Sequence, residues 1–382
     1  MASIWDKRIS ISIFGESDAP AMGVTIGNLP VGEYINAEEL ANYMVRRVPN
    51  LGDAAEADIV PSPRIMSGIS NERTTGAPLC AFIQNVRRSP KPQGDNVDRL
   101  SRPGNADYTG AVRYRSFSDF ECRGNFSMRL TAPLCFAGAV CAQILERRGI
   151  YTGAHIASIH NVKDNPFDAV RLSRDAVISV RQKEFPVIND RKGWTMLRNI
   201  RKAAEYGESL GGVIECGTVN VPAGIGSPIF DGLENNIAQL MFGIPGVKGI
   251  EFGTGFTSAN MLGSQQSDEF YVSERGHILT KTNNHGGIIG GISSGMPITL
   301  NVAIKPAPKS VSADERETCT VPAAVVCVES AVNIALLSHM IDYPNLMTKA
   351  ERLRKQLGED NSSPVDIFSM AQRIEKLTIA YY

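Results

Sequence analysis

The spacing of apolar and polar residues along the chain alternates between a two-residue period and a helical one. Residues 8 to 14 alternate polar and apolar side chains, which predicts a strand with one buried face. A capping signature begins at Asn36, and apolar residues at helical spacing then predict a helix that runs up to Arg46 and Arg47. Two arginines suit a helix end because cations offset the partial negative charge there. The first part of the chain therefore predicts a strand followed by a helix.

A second helix is predicted between Thr131 and Gly149. Thr131 could cap it, Pro133 suits its first turn, and Gly149 closes it. Its middle, residues 137 to 139, is small on every side. We therefore expect this helix to be buried scaffold that packs closely against a sheet or another helix.

The rest of the chain interleaves strands and helices. Short apolar runs predict strands over 213–216, 247–252 and 297–304. Apolar residues at helical spacing predict helices over 233–242, 322–341 and 364–377. The segment 48–63 is irregular and acidic, which predicts an exposed loop. No low-complexity linker divides the chain, so we predict a single large α/β (α+β) domain over residues 1–382.

The stretch from Asn283 to Lys309 joins two glycine pairs to an apolar strand. The pairs, Gly286-Gly287 and Gly290-Gly291, flank two isoleucines, so the backbone can turn there and approach a ligand through its amide groups. The stretch is neither GxGxxG before a helix nor GxxxxGK[ST], so it indicates neither a dinucleotide fingerprint nor a P-loop. Two interpretations remain: tight turns, or the floor of a site for an anionic or planar cofactor.

Composition and charge narrow the classes of partner. The 382 residues are 43% hydrophobic, enough for a substantial core. Lys+Arg number 39 and Asp+Glu 40, so a net charge of -1 gives no global field that would attract nucleic acid or an anionic membrane. The sequence shows no apolar signal core at its start and no uninterrupted apolar run of membrane-spanning length. We expect a soluble, cytoplasmic protein that binds neither nucleic acid nor membrane.

Cysteine and histidine usage argues against a metal centre. The seven cysteines show no CxxC pair and no metal-ligand spacing, which is typical of reduced, mostly buried thiols. Five histidines offer little material for a zinc or iron site. No metal is expected.

Seven separated motifs mark turns between the predicted elements. They are Gly15-Glu16-Ser17, Arg102-Pro103-Gly104 with Ala106-Asp107-Tyr108, Phe126-Ser127 with Arg129-Leu130-Thr131-Ala132, Pro222-Ala223-Gly224, Val247-Lys248-Gly249, the run Gly286 to Gly295, and Lys305-Pro306. In this order and spacing, the chain resembles the chorismate synthase family over essentially its whole length. The resemblance implies a β-α-β sandwich, a homotetramer and a site for reduced FMN.

In that family, the reaction is a 1,4-anti elimination of phosphate from 5-enolpyruvylshikimate-3-phosphate, which gives chorismate in the shikimate pathway. The reduced flavin lends electron density and recovers it, so it must lie against the substrate in a dry pocket. The anionic substrate calls for arginines that bind carboxylate and phosphate. Proton transfer calls for groups that titrate near neutral pH, usually histidines.

The resemblance assigns three sets of site residues. The catalytic set is Ser17, Asp18, Asn105, Ser127 and Glu317. The substrate-binding set is Arg47, Arg102 and Arg129. The cofactor-binding set is Asn125, Phe126, Ser127, Pro245, Gly246, Gly290, Lys305, Pro306, Ala307, Pro308 and Lys309, so that Gly290 and the Lys305-Pro306 turn are expected to face the flavin together.

The chain departs from the family's pattern where protons and phosphate are handled. Asp18 and Asn105 stand where the family has histidines, and Asn125 stands where it has Arg or His. Glu315 replaces an arginine on the flavin side, and Glu317 replaces an aspartate. Several of these changes remove a proton carrier or a positive charge, so we expect the site to hold a phosphate dianion less strongly.

Three hypotheses follow from the match and these departures. The first is an FMN-dependent chorismate synthase in which Asp18, kept protonated by burial, is a substitute acid. The second is a paralogue that acts on a less anionic substrate, and the third is a non-catalytic homologue that keeps the fold. Arg47, Arg102, Arg129 and Lys305 are retained, which is enough to hold one or two anionic groups.

Overall fold

The structure is a computed structural model that describes residues 3–17, 19–48, 63–85, 104–115, 124–273, 278–308 and 318–342. The predicted helix over 364–377 and nearly all of the predicted loop over 48–63 lie outside these residues. The prediction of a single domain over the whole chain stays a prediction.

The described residues form strands and helices that are numbered here in chain order. The strands are β1 Ile4–Asp6, β2 Ser10–Phe14, β3 Ala21–Gly27, β4 Arg64–Ser67, β5 Ile69–Ser70, β6 Arg73–Thr74, β7 Leu79–Gln84, β8 Tyr151–Ile159, β9 Val162–Lys163, β10 Gly212–Val219, β11 Val247–Phe252, β12 Phe270–Val272, β13 Ile278–Thr280, β14 Ile288–Ile289, β15 Ile292–Ser293 and β16 Ile298–Ile304. The helices are α1 Ala37–Val45, α2 Asp107–Tyr114, α3 Thr131–Arg147, α4 Arg174–Arg181, α5 Asp190–Glu205, α6 Leu233–Phe242, α7 Gly263–Gln266 and α8 Val321–Asp342.

Two five-stranded antiparallel sheets enclose a layer of helices. The first sheet has the order β1-β2-β3-β7-β4, and the second has the order β11-β16-β10-β8-β9. Helix α3 packs against β3 and β7 of the first sheet, whereas α8 packs against β8 and β10 of the second. The expected β-α-β sandwich is therefore confirmed.

Side chains alternate between the two faces of each strand, which explains how the first sheet packs on the helix layer. Ile11 pairs with Ile26 across β2 and β3, and Val24 pairs with Ala81 across β3 and β7. All four side chains are buried, so one face of the sheet covers the helices. Strand β2 starts at Ser10, two residues after the start of the predicted strand.

The two central helices approach each other closely at one glycine. A Cβ atom placed on Gly138 of α3 would lie only 2.2 Å from the Cβ of Ser330 on α8. A larger residue would push the two backbones apart, which explains the small residues at the middle of α3. The prediction that α3 packs closely against another element is confirmed.

Both central helices are also long and apolar enough, by length and composition, to span a membrane. The segments Met128–Arg147 and Val321–Asp342 meet that description, and charged residues such as Arg129 and Glu329 interrupt their apolar runs. However, 83% of the apolar window in the first and 94% in the second are buried inside the fold. Their apolar character is accounted for by packing on each other and on the two sheets.

Most predicted boundaries agree with the structure within a few residues. Helix α6 and strand β11 have the predicted bounds, and α8 extends one residue beyond its prediction at each end. Strand β10 is longer than predicted because it pairs along its length with both β8 and β16. The predicted cap of α3 is wrong: Thr131 is the first helical residue, and its hydroxyl donates to the carbonyl of Met128 at 2.6 Å.

Candidate functional site

Three predicted site residues converge just beyond the end of β2. The buried Ser17 lies in the turn after that strand, and its carbonyl accepts a hydrogen bond from the Arg129 guanidinium at 3.4 Å. The buried Ser127 accepts from the backbone amide of Arg129 at 3.2 Å and so caps the 3₁₀ turn Met128–Leu130. The structure therefore brings Ser17, Ser127 and Arg129 together.

The turn that carries Ser17 depends on one glycine. Gly15 has a φ of +100°, and a Cβ there would lie 2.7 Å from the carbonyl oxygen of Ala21. Only glycine fits such a position without displacing the neighbouring strand. The Asn85 side chain, at the end of β7, also donates to the carbonyl of Ser17 and fixes the turn.

Arg47 joins the same cluster from the other side. It follows α1, and its Nε donates to the Thr131 hydroxyl at 3.0 Å, while Nη2 donates to the carbonyl of Met128 at 3.1 Å. Arg47 therefore binds the short segment before α3, and Arg129 belongs to that segment. We call the group Ser17, Arg47, Ser127 and Arg129 the arginine end of the site.

A second group forms around Lys305, directly after β16. The Lys305 ammonium donates to the carbonyl of Gly104 at 2.8 Å, and its backbone amide donates to the carbonyl of Gly246 at 2.9 Å. Pro308 lies beside Gly104, and the carbonyl of Ala307 accepts from the Ser209 hydroxyl at 2.6 Å.

This group unites several residues that the sequence assigned separately to the site. We call it the lysine end of the site, and its members are Gly104, Asn105, Pro245, Gly246, Lys305, Pro306, Ala307 and Pro308.

Helix α2 connects the two ends. It begins directly after Asn105 and Ala106 at the lysine end, and the ring of its last residue, Tyr114, lies 6.5 Å from the ring of Phe126. Eight helical residues span about 12 Å. The two ends therefore lie about one short helix apart, with the exposed Phe126 and Asn125 next to the arginine end.

The first turn of α2 faces the lysine end without a capping side chain. Its N-cap is Ala106, which offers no side-chain acceptor for the amide groups of the first turn. Such amide groups and the positive end of the helix dipole favour an anion. Lys305 adds a full positive charge at the same place.

Two of the cations at the site are not neutralised within the described residues. There, neither Arg47 nor Lys305 forms an ion pair with a carboxylate; their hydrogen bonds go to carbonyls and to the Thr131 hydroxyl. A bound carboxylate or phosphate would supply the missing negative charge. The arrangement suits an anionic small molecule.

Gly290 lies away from both groups. The amide of Thr299, at the start of β16, donates to the carbonyl of Gly286, whereas Lys305 follows the other end of that strand. Six strand residues span about 20 Å. Similarly, the carbonyl of Gly291 accepts from Leu233 at the start of α6, and Gly246 comes after the end of that helix. Within one chain, Gly290 therefore does not lie beside Lys305, although the two were expected to face the flavin together.

The glycine run itself consists of tight turns packed on protein backbone. Gly286, Gly287, Gly290 and Gly291 all have φ between +62° and +82°. A Cβ on Gly286, Gly287 or Gly291 would lie within 2.4 Å of a neighbouring backbone atom, whereas Gly290 has open space around it. The tight-turn interpretation explains three of these glycines, and Gly290 alone is accessible to a ligand or another chain.

Some predicted site residues belong to parts of the chain that the structure does not describe. Asp18, Arg102, Lys309, Glu315 and Glu317 lie outside the described residues. Among the residues that the structure does describe, no group of three or more His, Cys, Asp or Glu side chains is arranged to hold a metal ion.

Sequence reasoning missed several side chains that position the site. Thr131 and Asn85 hold Arg47 and the Ser17 turn, and Ser209 holds the turn at Ala307. These contacts join positions 68 to 98 residues apart along the chain, so no local pattern indicates them.

Comparisons with known proteins agree on one family. The family model described as chorismate synthase matches residues 9–341. A relative named chorismate synthase from Lancefieldella parvula is 35% identical over 373 residues, covering 90% of this chain and 98% of its own. One from Dehalococcoides mccartyi is 37% identical over 365 residues, covering 88% and 96%. A solved structure titled "Crystal Structure of Chorismate Synthase" superposes with a TM-score of 0.71 at 28% identity, covering 97% of this chain and 98% of that one.

Proposed function

The chain belongs to the chorismate synthase family, and we propose that it is a lyase that eliminates phosphate from 5-enolpyruvylshikimate-3-phosphate to give chorismate. The observation that carries this proposal is the pair of cations at the two ends of α2. Arg47 and Lys305 each lack a carboxylate partner among the described residues. A substrate with carboxylates and a phosphate would supply those partners.

The arginine end is assigned to the substrate. A guanidinium binds carboxylate or phosphate through two parallel hydrogen bonds. The Arg47 guanidinium is held by the Met128 carbonyl and the Thr131 hydroxyl, and the Arg129 guanidinium contacts the Ser17 carbonyl. Because these contacts are made before any ligand binds, little side-chain entropy is lost on binding. The rigid clamp orients the substrate for elimination.

The lysine end suits the reduced FMN that the family resemblance implies. Lys305 and the uncapped first turn of α2 together fit a flavin phosphate, and the exposed Phe126 offers an aromatic face for a planar ring. The residues that would hold the cofactor are Phe126, Ser127, Gly246 and Lys305 to Pro308. When bound, reduced FMN supplies electron density to the substrate and takes it back.

Proton transfer is assigned to Asp18. Asn105, half-buried at the lysine end, can donate and accept hydrogen bonds but cannot exchange a proton at a useful pH. Asp18 directly follows the buried Ser17 in the sequence. A protonated carboxyl there would replace the histidine of the family pattern.

A paralogue with a less anionic substrate and a non-catalytic homologue have weaker support. Both would have less need for a lysine and an arginine without carboxylate partners, whereas Arg47 and Lys305 have no such partner among the described residues. No observation specifically favours either alternative.

The test is release of inorganic phosphate from 5-enolpyruvylshikimate-3-phosphate with chemically reduced FMN, without oxygen. We expect turnover by the wild-type chain and a loss of at least tenfold in Lys305→Met. Lys202→Met, on the exposed face of α5, is the matched control and should keep full activity. If the wild-type chain releases no phosphate, the proposal fails. An absorbance titration with FMN tests the cofactor separately.

We also propose a homotetramer. Large apolar side chains are exposed on β12, on β13 and on the segment after β11, among them Phe256 at 83%, Val272 at 70% and Ile278 at 65%. Exposed apolar groups of this size are typical of a surface that a second copy covers. Sedimentation should give four chains for the wild type and fewer for Val272→Asp. Val31→Asp, at another exposed valine, should leave the mass unchanged.

The proposed location is the cytoplasm. The six cysteines that the structure describes are all free thiols, which suits a reducing compartment. Fractionation of cells that express the tagged chain tests this, and recovery in a membrane or secreted fraction contradicts it.

A further inference from the structure

Two cysteines from neighbouring core helices meet beside the arginine end of the site. Cys135 lies on α3 and Cys327 on α8, both with no exposed surface, and their sulfur atoms are 3.6 Å apart. Each lies three residues before the point where Gly138 and Ser330 bring the two helices closest. The close backbone approach is what places the two thiols side by side.

The surroundings make the two sulfurs chemically unequal. The Cys135 thiol donates its proton toward the Cys327 sulfur, and this hydrogen bond, with help from the Arg47 charge and Thr131, lowers the pKa of Cys327 although burial opposes it. Burial raises the pKa of Cys135 well above its usual range. Cys327 is therefore the better nucleophile of the two.

The other described cysteines lack these features. Among the six described cysteines, no other pair has its sulfurs within hydrogen-bonding distance. Cys141 lies further along α3, and burial alone raises its pKa. The pair Cys135 and Cys327 is thus distinguished by geometry and by its cationic neighbour.

We propose that Cys135 and Cys327 form a redox modification site that hydrogen peroxide converts to a disulfide. The Cys327 sulfur attacks one peroxide oxygen, the O–O bond breaks, and water and a sulfenic acid form. The Cys135 sulfur then attacks the Cys327 sulfur, the S–O bond breaks and a second water leaves. Two thiols and one hydrogen peroxide give one disulfide and two waters. The sulfurs must approach by about 1.5 Å to reach the disulfide bond length.

The disulfide would affect the neighbouring site, a consequence that rests on the proposed function. Thr131 and Arg47 lie next to Cys327, and Thr131 is also the hydroxyl that fixes Arg47. Drawing the Cys327 sulfur toward α3 changes the contacts of both residues. We expect the oxidised protein to lose activity and to recover it on reduction.

The direct test maps the disulfide in the full-length wild-type chain. The protein is treated with hydrogen peroxide, its free thiols are alkylated under denaturing conditions, and its peptides are identified by mass spectrometry. We expect a crosslinked peptide joining Cys135 to Cys327, loss of two free thiols, and reversal by dithiothreitol. Recovery of both residues as alkylated thiols or as sulfinic acids would overturn the proposal.

Variants provide the matched control. Cys327→Ala should abolish the loss of two thiols, whereas Cys141→Ser, at another buried position on α3, should retain it. Phosphate release is measured in parallel on the wild type before and after treatment. An untreated protein without activity refutes the proposed function alone, because the peptide map is read independently. A crosslinked protein with unchanged activity refutes the effect on the site.

Discussion

Arg46 and Arg47 are adjacent residues at the end of α1, but only Arg46 forms an ion pair within the described part of the chain. Arg46 donates to both carboxylate oxygens of Glu329, at 2.6 and 2.7 Å, and Glu329 is completely buried in α8. Arg47 donates to a hydroxyl and a carbonyl, which carry no net charge. One arginine is neutralised inside the helix layer, and the other keeps its charge for a ligand.

This difference separates residues that hold the fold from residues that serve the site. Glu329 also accepts a hydrogen bond from the amide of Ala154 on β8, so it ties α1, α8 and the second sheet together. A buried charge is tolerated because it is paired and hydrogen-bonded. A cation without a carboxylate partner adds less to stability but is available to bind an anion.

The largest effect on this comparison is expected from Glu329→Ala. The substitution leaves Arg46, whose side chain is 20% exposed, without its carboxylate partner, which should lower the free energy of unfolding by about 3 kcal/mol, the lower end for breaking a buried pair. Urea denaturation followed by circular dichroism measures it. The double variant Arg46→Met with Glu329→Met should lose less than Glu329→Ala alone. A loss below about 1 kcal/mol for Glu329→Ala would mean that the ion pair does not hold the layer together.

Arg47→Met should reduce activity strongly and stability little, the reverse of Glu329→Ala. We expect a change of at most about 1 kcal/mol in the free energy of unfolding, since only neutral partners are lost. In contrast, kcat/KM for phosphate release should fall by roughly 10- to 100-fold, the equivalent of one charge-assisted hydrogen bond. Arg198→Met, on the exposed face of α5, is the control. Equal activity of the two variants would remove Arg47 from the site.

His155 extends the comparison to a buried group whose charge depends on pH. Its ring lies 2.7 Å from Glu215 and 3.3 Å from Asp164. Burial alone would lower the pKa of His155, but its interactions with the carboxylates of Asp164 and Glu215 outweigh burial and raise it. Burial likewise opposes ionisation of Asp164, but the hydrogen bonds from His155 and backbone amides lower its pKa.

The two shifts define a pH window. Because the pKa of His155 is higher in the folded chain, its ionisation stabilises the fold fully at pH values below about 6.5, the pKa in the unfolded chain. This stabilisation is lost as the pH rises through the pKa of the folded chain. A lowered aspartate pKa stabilises above the unfolded value near 3.8 and stops doing so as pH falls. His155→Gln should therefore lower the free energy of unfolding most between about pH 4 and 6.5, by about 1.4 kcal/mol for each unit by which the pKa is shifted. A pH-independent loss in urea titrations would contradict this.

The smallest effect is expected from Asn85→Ala, which removes a neutral contact at the arginine end. The carbonyl of Ser17 loses one donor, and the free energy of unfolding should fall by about 1 kcal/mol. Asn199→Ala on α5 is the control and should be neutral or slightly stabilising. Thermal denaturation measures both. A larger loss than for Glu329→Ala would invert the proposed ranking.

The elements of this fold could largely be predicted from the sequence, because periodicity reflects burial. Helix α6 and strand β11 have the predicted bounds, and the close packing of α3 follows from its small residues. The roles of Arg46 and Arg47 could not be predicted. The partner of Arg46 is 283 residues away, and no local pattern tells which of two adjacent arginines turns inward.

The candidate site could be predicted only in part. Family motifs identified Ser17, Ser127, Arg129 and Lys305, and the structure groups the first three and gives Lys305 its own cluster. The motifs carry no information on distance, so Gly290 was expected beside Lys305. The lengths of β16 and α6 show that the two lie apart.

Because Gly290 and Lys305 lie far apart in one chain, the coupling energy between them can show whether two chains share a site. Substitutions more than about 10 Å apart with no shared partner normally add in free energy within about 0.5 kcal/mol. A double-mutant cycle between Gly290 and Lys305 on cofactor affinity should therefore close to zero if each chain acts alone. A larger coupling energy would mean that a second copy brings its glycine run to the lysine end of its neighbour.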